Sequence, residues 1–155
     1  MSALDIRLAR PDDRPALIEL KRRAALAANP EPVRRQLRER PELIDLDPDS
    51  IAANAVFVAE RGGKLLGFAA VATHDGDDAE LADIFVEPAH WREGIGTALL
   101  GAILREAAAW GANRLHVLAN AEALGFYERH GFVRLGEQRT PLGPMAVLMA
   151  RPIGG

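Results

Sequence analysis

The chain has no cysteine, which excludes disulfide bridges, a thiolate nucleophile and thiolate-bound metal. Aromatic residues are scarce: five phenylalanines, two tryptophans and one tyrosine, Tyr127, in 155 residues. Any phenolic proton chemistry therefore has one address. No apolar run reaches the roughly 18 residues that a membrane-crossing helix needs, and neither end shows a basic stretch followed by an apolar export segment. A cytoplasmic protein with no membrane partner is the expectation. The four histidines, His74, His90, His116 and His130, have no His-x-x-x-His spacing, and no metal site is expected. Excess positive charge is missing as well. Nineteen Lys and Arg against 22 Asp and Glu leave a net charge of -3, which argues against a broad nucleic-acid footprint.

What remains is enough for one domain over residues 1–155, with a core of ordinary size. Leu4 to Leu8 alternates as a first strand, and Arg10-Pro11-Asp12 turns the chain, with Asp12 as a helix cap. Arg14 to Ala28 is helical in composition and stops before Asn29-Pro30. Pro32 to Arg40 predicts a second helix carrying Arg34, Arg35, Arg38 and Arg40, either as a solvated face or as part of an acceptor pocket. Asn54 to Glu60 and Lys64 to Ala72 are two strands joined at Gly62-Gly63, a hairpin signal. Asp75-Gly76-Asp77-Asp78 turns into a strand from Glu80 to Val86. Arg114 to Ala119 and Gly143 to Ala150 are further strands. This order predicts an α/β domain with a mixed sheet and helices on both faces.

The most informative stretch follows the strand that contains Ile84, Phe85 and Val86. Pro88 ends any ladder there, and Trp91-Arg92-Glu93-Gly94-Ile95-Gly96-Thr97 leads into apolar positions Leu99, Ile103 and Ala107, spaced four apart. A Gly-x-Gly turn between a strand and a helix is either a plain tight turn or an anion site. In the second case the free N–H groups and the helix dipole would hold a phosphate or diphosphate. Neither a nucleoside-triphosphatase loop nor a dinucleotide fingerprint fits, because the third glycine position is Leu99.

The loop resembles the cofactor loop of the GCN5-related N-acetyltransferases (GNAT), Gln/Arg-x-x-Gly-x-Gly/Ala, with Trp91 in the first position. A second segment is more specific. Asn120-Ala121-Glu122-Ala123-Leu124-Gly125-Phe126-Tyr127-Glu128-Arg129-His130-Gly131-Phe132 resembles that family's Asn-x-x-Ala-x-x-Phe-Tyr-x-x-x-Gly-Phe signature at every position. Local chemistry agrees: Asn120 can cap a short helix and Gly131 can end it in a left-handed conformation.

The resemblance implies the GNAT acyl-CoA N-acyltransferase fold, a central mixed, mostly antiparallel β-sheet flanked by helices. It implies transfer of the acetyl group of acetyl-CoA to a primary amine of a small-molecule or amino-acid-like acceptor. A protein or peptide acceptor, or a non-catalytic acyl-CoA sensor, is the alternative. It places the acetyl-CoA contacts at Ile84, Phe85, Val86, Trp91, Arg92, Glu93, Gly94, Ile95, Gly96, Thr97, Asn120, Ala123, Phe126 and Tyr127. Tyr127 is then the general acid toward the departing thiolate. For the general base Glu80 is the first candidate, Asp83 the rival if the strand carries a bulge, and ordered water the third possibility. A backbone N–H near Ile84 to Val86 would face the acyl oxygen. His116 is either a satisfied structural histidine or a proton relay. The segment from Asn29 to Ile51 and the loop from Gln138 to Gly143, with Arg139, are expected to shape the acceptor pocket, and a homodimer is the expected assembly.

Overall fold

The described residues form seven strands: β1 (Asp5–Leu8), β2 (Val56–Arg61), β3 (Lys64–Thr73), β4 (Ala79–Val86), β5 (Arg114–Ala119), β6 (Val133–Arg139) and β7 (Met145–Pro152). They form one sheet in the order β1-β2-β3-β4-β5-β7-β6, with only β4 and β5 paired in parallel. The sheet is thus mixed and mostly antiparallel, as the resemblance implied. The structure is a computed structural model that describes residues 3–74 and 76–153. Asp75, expected in the turn before β4, lies outside them.

Among the described residues five α-helices flank the sheet: α1 (Arg14–Ala28), α2 (Glu31–Glu39), α3 (Pro48–Ala52), α4 (Ile95–Ala109) and α5 (Leu124–Arg129). Strand alternation on β3 assigns the two faces. Phe68 and Ala70 pack with Leu17 and Leu20 of α1, while Ala69 and Val71 pack with Ile95, Leu99, Leu100 and Ile103 of α4. The four α4 side chains are at most 1% exposed, and each such burial stabilises the fold by about 1.5–3 kcal/mol. No helix among the described residues is long and apolar enough to cross a membrane.

Two expectations are corrected. The carboxylate at the entry to α1 is Asp13, not Asp12: it accepts the Arg10 backbone N–H at 2.7 Å and pairs with the Arg7 guanidinium at 2.9 Å. A partner on neighbouring β1 thus selects between two adjacent aspartates. The last strand begins at Met145 instead of Gly143, because Thr140 to Pro144 closes on itself through Thr140 N–H to the Pro144 carbonyl at 2.9 Å.

Two irregularities of β4 position the site. Parallel pairing with β5 covers only Ala79 with Leu115 and Glu80 with His116. From Leu81 onward the strands part. On its other side, β4 pairs Leu81 with Val71 and Asp83 with Ala70, which leaves Ala82 as an extra residue. The bulge puts Asp83 on the same face as Glu80, where strict alternation would have put them on opposite faces.

Candidate active site

The gap where β4 leaves β5 becomes a cleft of about 760 Å³. Leu81 to Val86 form one wall and Val117 to Ala119 the other. The start of α4 closes one end, and Ala24, Ala27 and Ala28 of α1 lie across the opening.

At the start of α4 the first helical bond runs from the Ala98 N–H to the Gly94 carbonyl at 3.1 Å. The N–H groups of Ile95, Gly96 and Thr97 therefore have no partner within the helix. Gly94 caps the helix at φ +84, with no side chain to satisfy those donors. A Cβ on Gly96 would stand 3.2 Å from Cε1 of Phe126. That residue's smallness lets α5 lie against the first turn of α4.

Trp91, in the position where the family signature has a polar residue, stays exposed and donates Nε1–H to the Val86 carbonyl at 2.8 Å. The loop is thereby fastened to the last residue of β4. Glu93 is not in the cleft wall. Its carboxylate faces His90 at 3.2 Å and Arg61 at 3.3 Å, and these partners hold it below the ordinary carboxylate range. Asn120 caps the short helical turn as expected, accepting the Ala123 N–H at 3.1 Å. Gly131 ends α5 at φ +87.

The other residues expected around acetyl-CoA, namely Ile84, Phe85, Val86, Trp91, Arg92, Gly94, Ile95, Gly96, Thr97, Asn120, Ala123, Phe126 and Tyr127, all line the cleft. Tyr127 is 4% exposed, between the edges of Phe126 and Phe132 with centroids 5.3 Å away in each case. Its hydroxyl has no hydrogen-bond partner among the described residues, and burial pushes its pKa well above the usual phenol value.

The two carboxylates are not equivalent. Asp83 lines the cleft, and Glu80 does not. Glu80 sits at the last paired position beside β5, one residue before the gap opens. Asp83 carries a raised pKa, chiefly because it is buried, with Lys21 opposing the rise from 3.1 Å.

His116 is also outside the cleft wall. Its Nε2 lies 2.7 Å from Asp78 Oδ2, and its ring stacks on His74 with centroids 4.1 Å apart. Such contacts fit a satisfied structural histidine. The arginines of α2 and the neighbouring Arg40 lie outside the cleft wall as well. Arg34 and Arg38 pair with Glu31, and Arg40 pairs with Glu42.

Among the cleft residues that escaped sequence reasoning, four are ionisable: His90, Glu122, Arg129 and His130. Arg129 and His130 occupy variable positions of the Phe-Tyr-x-x-x-Gly segment, where only the four-residue step from Phe126, which puts His130 on the same helix face, could have suggested His130. The two segments expected to shape the acceptor pocket do meet, outside the cleft wall. Gln36 Nε2 donates to the Leu142 carbonyl at 2.9 Å, and Leu142 packs on Ala25, Val33, Leu37 and Ile44.

The acetyltransferase (GNAT) family matches residues 15–132. The chain belongs to that family. An uncharacterised N-acetyltransferase of Mycobacterium tuberculosis is 32% identical over 92 residues, a match covering 57% of this chain and 59% of that protein. The match thus spans less than two thirds of that relative. Among solved structures, the ribosomal-protein-S18-alanine N-acetyltransferase of Escherichia coli is 27% identical with a TM-score of 0.72, over 99% of this chain and 96% of that one. The PaiA N-acetyltransferase of Thermoplasma acidophilum, solved in complex with coenzyme A, is 19% identical with a TM-score of 0.76, over 97% of this chain and 99% of that one. At that identity the likeness is one of fold.

Proposed function

We propose that this protein transfers the acetyl group of acetyl-CoA directly to the primary amine of a small-molecule or amino-acid-like acceptor. One observation carries the reading: a single cleft holds helix-start N–H groups without a partner in the helix, a buried phenol and a partly buried carboxylate. The N–H groups of Ile95, Gly96 and Thr97 suit a diphosphate. Past Glu80 the β5-facing edge of β4 has no strand partner, so its backbone groups are available to an amide chain lying in the gap. The residues present therefore fit acetyl-CoA, which supplies an activated acyl thioester.

The chain's own groups then divide the proton work. An ammonium has no lone pair, so the acceptor must first lose a proton, and Asp83 is the carboxylate in place to take it. A backbone N–H among Ile84, Phe85 and Val86 faces the acyl oxygen as charge builds on it. Tyr127, kept protonated by burial, holds the proton that the departing thiolate needs. Assembly as a homodimer and a cytoplasmic location belong to the same proposal, with the edge strand β6, exposed along all seven residues, as the surface available for pairing.

A peptide acceptor is favoured by a different observation. Leu118, in the cleft wall, is paired with Leu148 of β7, and the two are 39% and 37% exposed. This apolar strip leads out of the cleft. The Escherichia coli relative is named for action on an alanine of ribosomal protein S18, which is the same class of acceptor.

Thiol release from acetyl-CoA, measured across amines, amino acids, aminoglycosides and peptides, tests the proposal. Amine-dependent release supports it. Cofactor binding without release on any acceptor would make the domain a sensor, and a peptide rate constant at least about a hundredfold above every small amine, a difference near 2.7 kcal/mol, would establish the peptide reading.

A further inference from the structure

We propose that Lys21 is a positioning residue for the proton acceptor: it keeps the Asp83 carboxylate ionised inside the cleft wall and holds the segment between α2 and α3 with the same ammonium. The inference rests on the reading of Asp83 as the base.

Lys21 projects from the middle of α1 toward β4. Its Nζ lies 3.1 Å from Asp83 Oδ1, donates to the Asp45 carbonyl at 2.8 Å and stands 5.4 Å from the centre of the Phe85 ring. The two side chains of the ion pair are only 16% and 20% exposed. Lys21 does not line the cleft. It therefore acts on an acceptor through Asp83.

A carboxylate buried this far tends to take up a proton from solvent, and a carboxylic acid cannot accept one from an ammonium. An opposite charge within hydrogen-bond range opposes that tendency. From α1 the ionisable group facing Asp83 is Lys21, and from its own strand it is Glu80, whose like charge pushes toward protonation. β3 presents Ala70 at the paired position. On β5 the nearest ionisable group, His116, is held by Asp78. Lys21 is thus the one cation among the described residues that offsets both burial and Glu80. In the step itself an N–H bond of the acceptor ammonium breaks and an O–H bond forms on Asp83. The amine keeps the electron pair. Lys21 then stands beside a neutral acid, which favours return of the proton to water.

Removing the ammonium does not undo the acceptor wall. Arg14 still donates to the Leu46 carbonyl at 2.6 Å and pairs with Asp45 at 2.8 Å.

The pH profile of kcat/KM, measured by thiol release with one fixed amine, decides the matter for Lys21→Met, Lys21→Arg and Asp83→Asn. The acceptor's own ionisation is the same in every profile. The acidic limb of Lys21→Met is expected to move up by about one pH unit or more, so that activity below the limb falls about tenfold. Lys21→Arg is expected to restore the parent limb, and Lys21→Gln gives the same reading if Lys21→Met does not fold. A Lys21→Met limb at the parent position, with the Asp83→Asn limb abolished, overturns the role of Lys21 while leaving Asp83 as base. An Asp83→Asn profile identical to the parent overturns the base reading and this inference with it.

Discussion

Thr97 Oγ1 stands 3.0 Å from Nε2 of His130, and this contact joins the first turn of α4 to the end of α5. The other ring nitrogen, Nδ1, lies 2.7 Å from the Phe126 carbonyl, which can only accept. Nδ1 therefore carries a proton, and Nε2 shares a hydrogen bond with the Thr97 hydroxyl, which can donate or accept. The same ring packs on Phe126 at 4.5 Å, the residue against which Gly96 is fitted. Thr97→Val keeps the shape and removes the hydroxyl. It is expected to weaken coenzyme A binding about fivefold, near 1 kcal/mol for one lost hydrogen bond; calorimetry measures this, and unchanged affinity would separate the clasp from the cofactor site.

Tyr127→Phe retains the ring between Phe126 and Phe132 and deletes the proton. Turnover is expected to fall about a hundredfold, within the range that general acid catalysis contributes, while coenzyme A affinity changes little. A turnover number within a factor of about two of the parent at every pH would remove Tyr127 from the chemistry.

Gly96→Glu places a Cβ against Phe126 and a charge beside the free N–H groups of α4. Coenzyme A binding should weaken at least about tenfold while the circular dichroism spectrum is retained, since a like charge opposes an anion at a helix start. Full-affinity binding would locate the cofactor elsewhere.

Acid stability depends on Asp13. Hydrogen bonding to Arg7, the largest effect, holds its pKa below the ordinary value near 3.8, and both side chains are at most 16% exposed. A depressed folded-state pKa stabilises the fold above the unfolded value, and that stability is lost as pH falls through the folded value. Asp13→Asn should therefore cost about 2 kcal/mol at neutral pH, and the difference from the parent should shrink steadily below pH 3.8. Denaturant midpoints across pH measure it. A pH-independent difference would mean that the pair's charge plays no part.

Much of this protein is written over short sequence distances. The limits of α1, the Gly62-Gly63 hairpin, the Asn120 cap and the left-handed Gly131 each depend on residues within one or two turns of each other, so the sequence alone determined them. The Gly-x-Gly loop and the Asn120 to Phe132 segment likewise determined the fold family, because glycine spacing and helix capping are local requirements. What lay between strands was decided by tertiary structure. Nothing in the run from Ala79 to Val86 records that β5 pairs only as far as Glu80 or that Ala82 is the bulged residue, since both depend on partners distant in the chain. Those two facts put Asp83 in the cleft and leave Glu80 outside it. His130 meeting Thr97 and Lys21 meeting Asp83 have the same origin. Each joins side chains from different elements, and a distance of about 3 Å between them is fixed only when helix and sheet pack.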